Sequence, residues 1–458
     1  MPLGASNRQI TEGVIWKQIL LFFFPILLGT FFQQLYNTVD AIIVGRALGK
    51  EALASVGASS PILNLVYGIF IGISSGATVI LSQCYGAGDR DGVQKALHTG
   101  IALAMTLGTV IAIAGILLAP QILLLIGTPE NCMDGAVTYS RIFFGGAVGS
   151  MMYNMGSGIL RAMGDSRRPM IFLMISCFIN IAADLLFICV FNMGIAGAAL
   201  ATILSQMFSA ILILAALMNQ PDGYKLELHQ VRFHKKLLFP ILRIGVPAGI
   251  QLMMFDLSNL IVQSSVNSFG DAAMAAWTAY GKADGITWQI SGAFGVSVTT
   301  FVGQNFGAQK YDRIRRSVWV CMGLGIAMVG GLSILEYTFR EPLLGIFTTD
   351  PEVIRIGAEM MSCIVLTNAI FIPIEVFAGT MRGTGYALQP TLIMCVCVCL
   401  FRILWILLAV SHRHTITMLC LAYPISWILC SAVFFVFYLS GHWLHSRINA
   451  LGLAPEVR

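Results

Sequence analysis

Largely apolar runs of about 20 residues or more, each long enough to cross a roughly 30 Å hydrocarbon layer as a helix, recur from one end of the chain to the other. In lipid the backbone N–H and C=O groups of such runs can be satisfied only by one another, which leaves a helix or a closed barrel. A barrel strand would alternate apolar and polar residues, and these runs do not. Of 458 residues, 57% are hydrophobic and 11% charged, far below the quarter or so charged that soluble domains carry. The expected fold is therefore an all-α integral membrane protein. Twelve spans are expected, centred near Leu27, Phe70, Leu107, Val148, Asn180, Met207, Met254, Ser291, Met328, Leu366, Val396 and Ile428. The opening stretch MPLGASNRQITEGV is polar, and the run after it holds Pro25 and no small-residue cleavage site, so no signal peptide is expected.

Charge decides topology rather than partner. The net charge is +5, but Lys and Arg alternate with the spans instead of forming one basic face, which excludes a nucleic-acid partner. With the amino terminus inside, 19 Lys and Arg fall in inner segments, Arg8 and Arg458 among them, against four in outer segments. The positive-inside rule then places both termini in the cytoplasm of a multi-pass cell-membrane protein. Eleven cysteines lie mostly within apolar runs with no CxxC spacing and read as small apolar fillers, and no metal motif or organic cofactor is expected.

The chain also repeats itself. QCYGAGDRD (Gln83 to Asp91) matches QNFGAQKYD (Gln304 to Asp312), and RAMGDSRRP (Arg161 to Pro169) matches RGTGYALQP (Arg382 to Pro390), both at an offset of 221. Upstream, Pro25 pairs with Pro247 and Asn37 with Asn259 at 222. The offset covers six spans, an even number, so the two six-helix lobes share one orientation and are related by a pseudo-two-fold axis along the membrane normal. The expected division is an amino-terminal lobe over 1–218, a cytoplasmic linker over 219–235, a carboxyl-terminal lobe over 236–440 and a cytoplasmic tail over 441–458. Parallel repeats of this kind belong to carriers, whose substrate path lies near the midplane.

Polar residues inside the spans carry the functional signal. An Asp at a helix centre costs about 2.5 to 3.5 kcal/mol on insertion scales, so Asp184, one turn from Asn180 in CFINIAADLLFICVF, calls for a use. Gln33, Asn37 and Asp40 lie along one stripe of the first span, and Thr202 adds a hydroxyl in the sixth. In the second half Asp256, Asn259 and Gln263 share a stripe, with Asp284 and Glu375 further on. Under the repeat Asp256 corresponds to Gln34, Glu375 to Asn154, and Asp184 to Trp405. The acids of the second half suit cationic substrate or, alternatively, an internal ion pair of Lys282 with Asp284 or Glu375. MMYNM (Met151 to Met155) and QLMMFD (Gln251 to Asp256) are candidate walls of an adaptable apolar pocket. Gly68, Gly72 and Gly76 have the spacing that lets helix backbones approach. Pro25 and Pro247 each remove a backbone donor within a span, so a bend is expected there. The run RIRR, Arg313 to Arg316, is expected to anchor at the inner leaflet.

FFQQLYNTVDAIIVGRALGKEALASVGASSP (Phe31 to Pro61), TTFVGQNFGAQ (Thr299 to Gln309) and the paired Arg-x-x-Gly segments resemble the MATE (multidrug and toxic compound extrusion) family, in its bacterial DinF-like and MepA-like branch. The resemblance covers the whole chain. It implies the MATE fold and export of small cationic, amphipathic molecules driven by a sodium or proton gradient, with no further protein partner evident. The family's amino-terminal cation site uses an Asp of the first helix, an Asn and Asp one turn apart in the fifth, and a Thr of the sixth. Asp40, Asn180, Asp184 and Thr202 match it, and either Na+ or H+ would neutralise the site. Gln33, Gln34, Asn37, Asn154, Asp256, Asn259, Asp284 and Glu375 are then the candidates for the substrate cavity.

A related superfamily member, a flippase of lipid-linked saccharides, is the alternative. A pyrophosphate headgroup calls for several Arg or Lys at mid-membrane, whereas the charges assigned there are Asp40, Asp184, Asp256, Asp284 and Glu375 against Lys282 alone. An enzyme would need a nucleophile and base or a metal motif such as HExxH, and all seven histidines lie at span ends or in loops.

Overall fold

A computed structural model describes residues 10–452. Arg8 and Arg458 therefore lie outside the described residues, as do the rest of 1–9 and of 453–458.

Ten of the expected spans are continuous helical stretches long and apolar enough to cross a membrane: Ile15–Leu48, Lys50–Gly86, Arg90–Leu125, Arg167–Val190, Gly194–Met218, Lys235–Asn267, Tyr311–Thr338, Pro351–Gly383, Leu388–Val410 and Ile416–Leu439. The fourth and eighth are each two helices end to end, Glu130–Gly145 with Ala147–Ala162, and Asp271–Ala283 with Gly285–Gly307. Gly146 and Asp284 stand at the two breaks. The tail begins with a further helix, His442–Leu451.

Irregularities in these helices follow the repeat. The tenth span tightens to a 3-10 segment at Val365–Ile370, 221 residues on from the break at Gly146. The fifth span widens to a π segment at Leu185–Val190, immediately after Asp184, and the eleventh does the same at Ile406–Val410. A π turn often marks a functional site. Here it recurs where Trp405 replaces Asp184, so the widened turn belongs to the scaffold and the carboxylate is an addition to it. Turns repeat as well: Gly88 has φ +72°, and its counterpart Gln309 adopts φ +56° without being glycine. The repeat imposes the left-handed turn even where the sequence has lost the residue that suits it.

Two compact units result. One is Phe24–Gly249; the other comprises Ile250 onward together with the described residues up to Phe23. The boundaries fall inside the first and seventh spans, next to Pro25 and Pro247, and both helices continue through their prolines.

In the first unit the second span meets the opening half of the seventh through glycine. A Cβ on Gly72 would lie 2.3 Å from Gly249 N, and one on Gly76 would lie 2.3 Å from Ile241 O. That contact binds Lys235–Gly249 to the unit made by the earlier spans, and it confirms the packing role expected of Gly72 and Gly76. Residues 219–234 lie against the third span, where His98 Nε2 accepts from Glu227 N (3.1 Å) and Thr99 Oγ1 accepts from His234 N (3.1 Å).

In the second unit the eighth span packs on the ninth and tenth. Arg313 does more than anchor at the leaflet. Its guanidinium donates to Gly13 O (2.8 Å), Ile10 O (3.2 Å), Glu12 O (2.9 Å) and Gln18 Oε1 (2.7 Å), so it holds the segment that leads into the first span. Lys310 Nζ adds a bond to Thr11 O at 3.0 Å.

Candidate cation site and the carboxylates of the two units

The first span brings Asp40 to the fifth, where its carboxyl group lies beside that of Asp184. Asp184 is 0% exposed and Asp40 7%. Neither oxygen of Asp184 receives an N–H or O–H donor from the described residues, nor does Asp40 Oδ1. Asn180, one turn before Asp184 and 0% exposed, has no partner among the described residues for its amide oxygen or its amide nitrogen. Thr202 joins through Tyr139, whose hydroxyl lies near that of Thr202 and close enough to both carboxylates to feel their charge. Around this lie Val44, Phe143, Ile188, Ala198 and Ala199, an apolar wall drawn from the first, fourth, fifth and sixth spans.

Two carboxyl groups in contact in such a wall cannot both stay ionised without a counter-charge, so the site holds either a shared proton or a cation. Its unsatisfied groups are chiefly carboxylate and amide oxygens. That is a donor set for a hard monovalent ion as well as for a proton. Tyr139 was not anticipated from the sequence, because a lone Tyr in the fourth span carries no pattern. Tyr36 was missed likewise; it accepts from Gln206 Nε2 at 3.3 Å and bonds to Gln33.

The remaining candidates separate. Gln33 is engaged with Tyr36, while Gln34, Asn37 and Asn259 are exposed and Asp256 is half-buried. Asn154 turns its amide back on its own helix, Nδ2 to Ser150 O at 2.8 Å. Glu375 faces Arg382 at 3.7 Å, in space left by Gly295, where a Cβ would meet Glu375 Oε2. The partner of Glu375 is thus Arg382, about two turns further along the same face of its own helix, and Lys282 itself is exposed. Asp284 is 1% exposed and faces Tyr280, Trp288, Asn368 and Glu336 instead. Met151 and Met155 are 0% exposed and pack in the core, so they do not form a pocket wall.

Two charges were overlooked in reading the spans. Glu336 lies near the end of the ninth, and Arg402, in the eleventh, is 0% exposed with its guanidinium 4.0 Å from the Tyr423 ring centre.

A helical carrier built from two parallel repeats, with a buried pair of carboxylates, is the class these features define. The family model MatE matches twice, over residues 25–186 and 247–408, and the chain belongs to that family of transporters. The probable multidrug resistance protein YoeA of Bacillus subtilis (strain 168) is 30% identical over 86% of this chain and 86% of its own. The probable multidrug resistance protein YpnP of the same organism is 30% identical over 83% and 85%. Among solved structures, a MOP superfamily transporter from Pyrococcus furiosus superposes with a TM-score of 0.89 at 20% identity, covering 98% of this chain and 99% of that one. This is the twelve-helix, two-lobe MATE fold.

Proposed function

We propose that this chain is a secondary active multidrug exporter of the bacterial cell membrane, which releases amphipathic organic cations in exchange for inward movement of Na+ or H+. The observation that carries the reading is the Asp40–Asp184 contact in an apolar wall, with Asn180 unsatisfied beside it. A charge in that setting must be neutralised, and a site that can be neutralised reversibly by an ion can couple the ion's gradient to a conformational change. Asp40, Asn180, Asp184 and Thr202 are assigned as the coupling site. Gln34, Asn37, Asp256 and Asn259 are the candidates left free to meet substrate. The lobes that move are taken as the repeat halves, 1–218 and 236–440, with both termini in the cytoplasm, a reading that the distribution of Lys and Arg supports.

Arg402 amends the charge comparison made from the sequence without reversing it. Its guanidinium is enclosed by Tyr423, Trp427 and Phe255 and does not present itself to a lipid headgroup. The test is efflux of a fluorescent organic cation from reconstituted vesicles, with sodium and pH gradients imposed separately. One of the two gradients is expected to drive accumulation; failure of both overturns the reading.

A further inference from the structure

We propose that Asp284 and Glu336 form a second protonatable site, a carboxyl dyad within the carboxyl-terminal unit that binds one proton independently of Asp40 and Asp184. The break in the eighth span turns Asp284 toward the ninth and tenth. Its Oδ2 accepts from Tyr280 O–H (3.1 Å) and Trp288 Nε1–H (2.8 Å), and its Oδ1 accepts from Asn368 Nδ2–H (2.7 Å). Three donors converge on one carboxylate. Glu336, 4% exposed, accepts at Oε1 from Thr287 O–H (3.0 Å), and its carboxyl group lies beside that of Asp284.

Glu336 Oε2 receives no donor from the described residues, and neither does Asn368 Oδ1 beside it, in a side chain 3% exposed. Two neighbouring buried carboxyl groups cannot both ionise at no cost, so the pair holds one proton, and the donor count says where it sits. Asp284 is solvated as an anion; Glu336 is the group short of a hydrogen. The proton is therefore on Glu336 Oε2, given toward Asp284. A metal ion fits poorly, because it would face the O–H and N–H hydrogens already aimed at Asp284.

The titratable and charged groups that face the dyad are few. They are Tyr280 and, from the twelfth span, Tyr423, with Cys420 near Tyr280 and Arg402 stacked on Tyr423. Trp288, Phe371 and Trp427 close the space between Asp284 and Arg402, with ring centres 4.9 to 5.8 Å apart. With Glu336 protonated, the ionised Asp284 and Arg402 balance; with it ionised, the enclosure holds a net negative charge. The amino-terminal counterparts at the offset of 221 are Leu63 and Gly115. The dyad is thus particular to this half of the chain.

The test is infrared spectroscopy of the purified full-length protein carrying Asp40→Asn and Asp184→Asn, following the protonated-carboxyl C=O band with pH and on exchange into D2O. A titrating band is expected in this background, and adding Glu336→Gln is expected to abolish it. Absence of the band in the background, or its survival in Glu336→Gln, overturns the proposal. Should Glu336→Gln not fold, Asp284→Asn replaces it: the band is expected to shift in frequency as its acceptor changes, and an unshifted band overturns the assignment. Because the readout is spectroscopic and the background lacks the Asp40–Asp184 pair, its outcome is separable from failure of gradient-driven efflux.

Discussion

Asp40 and Asp184 meet carboxyl to carboxyl across the first and fifth spans, and no N–H or O–H among the described residues donates to Asp184. A structural carboxylate in a protein core is normally held by donors. Asp284, with three, shows what that looks like in the same chain.

Asp184→Asn is therefore expected to fold and to melt no lower than the wild type, because it removes an ionisable group from an apolar wall. Gradient-driven efflux should fall to the level of protein-free vesicles. Melting temperature and efflux measured on one preparation check this, and a well-folded variant with wild-type efflux would sink the coupling assignment.

Gly76→Leu places a side chain where even a Cβ would lie 2.3 Å from a carbonyl oxygen of the seventh span. Backbone cannot yield as a flexible side chain does, so the cost should reach or exceed the 1–3 kcal/mol typical of overpacking, about what separates a folded from an aggregated membrane protein. Recovery by size-exclusion chromatography should collapse. Gly57→Ala, where a Cβ meets nothing within 4 Å, is the control expected to behave as wild type.

Gln309 holds a left-handed backbone conformation where its repeat counterpart Gly88 has glycine. A residue with a Cβ is strained there by about 1–2 kcal/mol. After the greater entropy glycine loses on folding, Gln309→Gly should stabilise the protein by a few tenths to about 1 kcal/mol. The matching reversal, Gly88→Gln, should destabilise it, and a thermal shift of the wrong sign in either would refute the account.

His234, just before the seventh span, has its titration moved below the usual value of 6.5 by partial burial and by the neighbouring charges of Arg232 and Lys95. Its Nε2 accepts from Arg232 Nε at 3.3 Å, which requires the neutral ring, and Nδ1 lies 3.2 Å from Thr99 Oγ1. Above about 6.5 the ring is neutral folded or unfolded, and these contacts contribute in full. As pH falls below that, the unfolded segment takes the proton first and stability is lost. Trypsin cleavage at Lys225 and Arg232 should rise between about pH 7 and about pH 5.5 relative to a surface site of similar sequence, and His234→Gln should flatten that rise.

The twelve spans, the repeat and the family were legible because each rests on many residues acting alike: hydropathy sums over about 20 positions, and two matches at one offset exclude coincidence. Asp184 and Asn180 were legible for a different reason, since a carboxylate and amide in an apolar run stand out against their background. What a polar side chain faces is decided by neighbours distant in sequence, and no local pattern carries it. Glu375 read as either substrate-facing or ion-paired, and that its partner is Arg382 came only from the structure; Met151 read as a candidate pocket wall and is enclosed.

Glu336 and Arg402 mark the boundary most sharply. Each sits alone near the end or middle of an apolar span, with no spacing that singles it out, and sequence reasoning passed over both. Only the packing of the eighth span on the ninth and tenth brings Thr287 to Glu336 and Asn368 to Asp284, and only the twelfth span supplies the Tyr423 face on which Arg402 rests. That the chain crosses a membrane twelve times in two like halves is written in its residues alone, because transfer from water to lipid is a property of each segment taken singly. The tertiary structure decided which buried charges meet, because pairing depends on distances between segments that hydropathy does not encode.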